Sequence, residues 1–111
     1  MHLSPEQLVL ADQIAADTWH RELALELGAE FPAFDQVAID GWCALCRATC
    51  SRLEVTSQHG IYAFHILCLR AGSLISSDAQ YVEQHQRYKM KYGSADSLPI
   101  DLLAWVRSCG G

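Results

Sequence analysis

The sequence predicts an all-α domain of about five helices. Three observations carry that reading. Half of the 111 residues are hydrophobic, enough for a folded core. Start and stop signals of helices punctuate the chain at regular intervals. No segment alternates apolar and polar residues between turn signals, as a half-buried strand would. A chain of this length is expected to form one domain, residues 1–111, without needing disulfides or metal to fold.

The first helix opens at Ser4, with Pro5 at its first position and Gln7 completing a capping box. Leu8, Ala11, Ala15 and Trp19 recur at helical spacing, and Leu23 and Leu27 extend the apolar stripe. Gly28 is the expected stop. Pro32 holds Phe31 extended, and Phe31 and Phe34 are expected to anchor the connection. The second helix spans about 35–53, with Val37, Trp42, Leu45, Cys46, Thr49 and Leu53 on its buried side. Gly41 within it suggests a close helix–helix approach.

Thr56 or Ser57 caps a third helix, 58–71, which is apolar on most sides and is expected to be central. With the second helix it forms the core hairpin of the bundle. Gly72 ends it, and Ser77 is the expected cap of a more polar fourth helix that stops at Gly93. The fifth begins at Ser97, carries Pro99 in its first turn, and should pack through Ile100, Leu103 and Trp105 or Val106. Gly110 and Gly111 close the chain.

Composition restricts function. A net charge of −5 without a basic run argues against nucleic-acid binding. The N-terminus lacks a basic stretch and a long apolar core, so no signal peptide is expected. No apolar run reaches the ~20 residues of a membrane span. A cytoplasmic protein with reduced thiols follows from the absence of an export signal.

Two constellations stand out. Cys43, Cys46 and Cys50 share a face of the second helix, and His65 and Cys68 share one of the third. A turn near Val55 and Thr56 would set Cys46 level with His65 and Cys43 level with Cys68. Those four side chains are candidate zinc ligands. The alternative, favoured here, is that the cysteines serve as small core residues. No metal or other cofactor is assigned, and no catalytic motif is present. The second constellation is Tyr81, Arg87, Tyr88, Tyr92 and Trp105 on the last two helices. These residue types are enriched at protein interfaces.

Residues Leu53 to Trp105 contain a Ser/Thr-rich cap with a Gly-Ile dipeptide, Val55-Thr56-Ser57-Gln58-His59-Gly60-Ile61. Phe64, Leu67 and a closing Ala71-Gly72 follow, and then a polar helix. This pattern resembles short helical accessory proteins encoded beside bacterial type VI secretion effectors. The resemblance implies a non-catalytic adaptor or co-chaperone whose partner is the effector or its dedicated chaperone. It assigns no catalytic residue. The same aromatic patch would also allow homo-oligomers. Two other functions fit the residues: an immunity protein that neutralises a toxin, and a small zinc- or thiol-dependent regulator.

Overall fold

The computed structural model describes residues 4–109, which form five α-helices and no strand. The helices are α1 (Pro5–Glu30), α2 (Gln36–Arg52), α3 (Gln58–Ala71), α4 (Ala79–Tyr92) and α5 (Ser97–Ser108). The all-α class is as the cap and stop signals predict. Gly110 and Gly111, expected to close the chain, lie outside the described residues, as do Met1 to Leu3. The chain divides into two compact units, Met1–Asp40 and Gly41–Gly111, with the division inside α2.

In the first unit the capping box forms as expected: the Ser4 amide donates to Gln7 Oε1 at 2.9 Å, and the Gln7 amide to Ser4 Oγ at 3.2 Å. The helix does not stop at Gly28 but runs on to Glu30. The stop is Phe31, whose φ of −119° and ψ of 70° leave the helical region before Pro32. Gly28 serves another purpose. The Gln36 side chain lies across it and donates to the Ala24 carbonyl at 3.2 Å, where a Cβ on residue 28 would collide with Gln36. Asp35 starts α2 by accepting the Ala38 amide at 2.7 Å. Leu23, Ala24, Leu27 and Ile39 are buried, but Leu8, Ala11 and Ala15 are exposed, so the expected stripe is covered only towards its C-terminal end.

In the second unit α3 is the central helix. Every residue from Ala63 to Leu69 is buried. Its closest neighbour is α5. The core gathers Cys46, Cys50, Val55, Phe64, Cys68, Tyr81 and Leu98, with Trp42, Ile61 and Leu102 packed around them. Fully burying a side chain such as Phe64 stabilises the fold by roughly 1.5–3 kcal/mol. On α2, Val37 and Leu45 point outward, contrary to the expected burial, and Cys43 and Cys50 occupy the inner face instead. Gly41 mediates no close approach, since nothing lies within 4 Å of where its Cβ would be.

The turn from α2 to α3 has an unusual residue. Val55 N–H reaches Cys50 O at 2.9 Å and Glu54 N–H reaches Ser51 O at 3.2 Å, the bond pair of a Schellman motif. Its left-handed position is held by Glu54 at φ 61°, where glycine is usual, and Lys89 meets the Glu54 carboxylate at 3.0 Å. Ser57 then caps α3 by accepting the Gly60 amide at 3.0 Å. Gly72 and Gly93 end α3 and α4 in the left-handed conformation, as expected. Ser77 does not cap α4. It ends a 3-10 turn, Ile75–Ser77, and Asp78 caps the helix by accepting the Gln80 amide at 2.7 Å. A carboxylate is the stronger acceptor there.

The loop before α5 braces the start of α3. Asp96 accepts the Thr56 amide at 2.7 Å and the Thr56 hydroxyl at 3.3 Å. Its own carbonyl lies 2.8 Å from where a Cβ on Gly60 would stand. Asp96 therefore sets its charge at the N-terminus of α3 rather than capping α5, where its side chain makes no bond.

Two stability changes follow. Gly60→Ala should destabilise the protein by about 2–3 kcal/mol, because backbone, not a flexible side chain, blocks the new methyl group. Glu54→Gly should do the opposite. Relief of the left-handed strain, about 1 kcal/mol, exceeds the loss of an exposed ion pair. Urea unfolding midpoints of the two variants against the parent protein check both signs.

Candidate functional site

The cysteine layer forms in part. The Cys46 and Cys68 thiols are hydrogen-bonded across α2 and α3, and Cys50 lies close to Cys68. His65 does not join them. Its Nδ1 lies 2.7 Å from the carbonyl of Ile61, one turn back on its own helix, and the Cys43 backbone is its other partner. The expected levels, Cys46 with His65 and Cys43 with Cys68, are thus displaced by one turn. Among the described residues no group of three or more His, Cys, Asp or Glu side chains is arranged to hold a metal ion.

The thiols of the layer shift in opposite directions: the hydrogen bond with Cys46 lowers Cys68 against the effect of its burial. The hydrogen bond to Cys68 raises the Cys46 thiol, and burial adds to the shift. Burial, then the neighbouring Cys68, pushes Cys50 up to about 12. Burial and the neighbouring thiols disfavour the thiolate, so Cys46 and Cys50 stay protonated at neutral pH. His65 moves the other way: burial lowers its pKa and keeps the imidazole neutral.

The five aromatic and basic candidates divide between core and surface. Tyr81 is buried, with its ring edge-on to Phe64 and stacked on His85. Its hydroxyl has no hydrogen-bond partner among the described residues. Tyr88 is half-buried and donates to Asp101 at 2.7 Å, which joins α4 to α5. That carboxylate raises the phenol above its ordinary value. Tyr92 packs against Tyr88 with ring centroids 5.4 Å apart, and Lys91 stands 5.3 Å over the Tyr92 ring. Tyr92 remains 59% exposed and Trp105 64%. Arg87 is exposed and pairs with Glu83 at 2.6 Å.

Tyr81 and Arg87 also line an open groove of about 880 Å³. Its apolar lining comes from Ala71, Leu74, Ile75 and Leu102, with Ser77, Gln80 and Gln84 among its polar residues. Trp105 follows Leu102 at i+3, on the same side of α5. Sequence reasoning missed the groove because its floor includes the 3-10 turn, whose Leu74 and Ile75 read as a plain connection. It also missed Asp101, which orients Tyr88. The only signal for Asp101 was an acidic residue one turn before Trp105.

No protein family matches the chain, and neither does any curated protein or solved structure. No helix among the described residues is long and apolar enough to cross a membrane.

A pH dependence follows from the buried imidazole. The folded-state pKa of His65 lies below the unfolded value of about 6.5. Its contribution to stability is therefore complete above that pH and is lost as pH falls below it. His85, also lowered, first by burial and then by Lys89, adds in the same direction. The urea midpoint should drop between about pH 7 and pH 5.5, and His65→Gln should flatten the drop.

Proposed function

We propose that this chain is a non-catalytic protein-binding adaptor or co-chaperone. It holds a secretion effector, or that effector's dedicated chaperone, in the cytoplasm. The observation that supports this most directly is the apolar-lined groove on the second unit, which Tyr81 and Arg87 help to line, on a unit that also leaves Tyr92 and Trp105 exposed. Grooves of this kind accept an apolar segment of a partner, and Tyr, Trp and Arg at their edges supply most of the binding energy.

Each part of the surface has a role in this reading. Leu74, Ile75 and Leu102 offer apolar area to the partner. Tyr92 and Trp105 contribute rigid rings, each of which can bury a large area at low entropic cost. Asp101 holds Tyr88, so the α4–α5 face is already in shape before a partner arrives. Arg87, held by Glu83, presents a planar donor group to a carboxylate or carbonyl of the partner. The resemblance to accessory proteins of secretion effectors supplies the kind of partner.

Co-expression with the product of the neighbouring effector gene, followed by size-exclusion chromatography, tests this. A stable complex is expected. Tyr92→Ala and Trp105→Ala should each weaken it by about 2 kcal/mol without loss of helicity, as central interface aromatics do. Elution of a stable, partnerless monomer in the presence of both the effector and its chaperone would contradict the proposal.

A further inference from the structure

The N-terminal half of α1 is uncovered. Every residue from Pro5 to Thr18 is exposed, although the segment includes Leu8, Val9, Leu10 and Ile14. Further along, Leu23, Ala24 and Leu27 are buried. Stepping back from them by three or four residues leads through His20, Ala16 and Gln13 to Val9, Leu10 and Glu6. One helix face is thus covered at its C-terminal end and continues bare towards the N-terminus.

The bare part of that face has a definite shape. Glu6, Val9, Leu10 and Gln13 line a hollow of about 340 Å³, together with Pro5. Those four positions stand at i, i+3, i+4 and i+7, the set that forms the hole for a side chain of a facing helix. The capping box at Ser4 and Gln7 fixes the start of the helix beside it.

Charge identifies what can lie there. α1 carries six acidic residues and one basic residue, Arg21, which is a formal charge of −5. The whole chain has thirteen acids and eight bases, also −5, so the rest of it balances seven against seven. All of the net charge sits on this one helix. Asp12 and Asp17 flank the bare face on its two sides. A second copy would bring the three acids of the bare half, Glu6, Asp12 and Asp17, against three more at an interhelical distance of about 8–10 Å, comparable with the ~8 Å screening length of physiological salt.

We infer that the N-terminal half of α1 is a docking element for a basic amphipathic helix of a protein partner. That helix seats an apolar side chain in the Glu6–Gln13 hollow and sets Lys or Arg side chains against Glu6, Asp12 and Asp17. This surface belongs to the first unit and shares no residue with the groove on the second.

The test uses the full chain and two labelled heptad peptides with leucine at the core positions, one flanked by lysine and the other by glutamate. Fluorescence anisotropy should show the lysine-flanked peptide binding at least about tenfold tighter, with affinity falling as salt rises. Val9→Ser with Leu10→Ser leaves the charge unchanged and should weaken binding at least about tenfold, with helicity retained. Met90→Ser, at an exposed position on α4, should have no effect. The inference is overturned if neither peptide binds or both bind equally. It is also overturned if binding survives the Val9 and Leu10 substitutions, or if those substitutions abolish a concentration-dependent dimer, which would assign the face to a second copy.

Discussion

The second unit depends on the contact between Asp96 and the first turn of α3. Residues forty positions apart, Thr56 and Asp96, are hydrogen-bonded there. The Asp96 carboxylate takes the Thr56 amide, and its carbonyl occupies the space a side chain on residue 60 would need. The contact satisfies a backbone donor beside the α3 start, places a negative charge at the positive end of the central helix, and fixes where α5 begins. Because α5 then lies close along α3, Leu98 and Leu103 come into the core. The α4–α5 face that carries Tyr88, Tyr92 and Trp105 is positioned by the same closure.

The thiol layer illustrates how one set of residues supports two chemistries until its surroundings are known. Cys46, Cys50 and Cys68 pack with Phe64 and Tyr81 in the core. Burial in such a place favours the thiol over the thiolate, and the imidazole over the imidazolium. His65 sets its Nδ1 against the Ile61 carbonyl of its own helix. These properties are those of packing side chains, and they move functional attention to the exposed surfaces.

Much of the fold was legible because helix ends are written in local chemistry. The α3 limits, the Ser57 cap and the left-handed Gly72 and Gly93 follow from residue types whose conformational preference acts within a few positions. Misreadings arose where a partner distant in sequence decided the outcome. Gly28 has the mark of a stop, but the side chain of Gln36 uses it as a contact, and Pro32 ends the helix. Ser77 has the mark of a cap, but Asp78, one position on, is the better acceptor. Gly41 has the mark of a close contact and faces open space. For the candidate site, residue types pointed to the last two helices. The groove itself depends on how the 3-10 turn folds beside α4, which no local signal reveals. An apolar stripe likewise shows that a helix can be buried, not which part of it is, and α1 is covered only near its end.

Native-state amide hydrogen exchange tests the central closure most directly. If the Asp96–Gly60 contact holds α3 and α5 together, the slowest amides of both helices should exchange with one common opening free energy. Those of α1 from Val9 to Thr18 should exchange at much lower cost. Amides of α5 that open several kcal/mol more easily than those of α3 would show that α5 is not held by this contact, and would contradict the account.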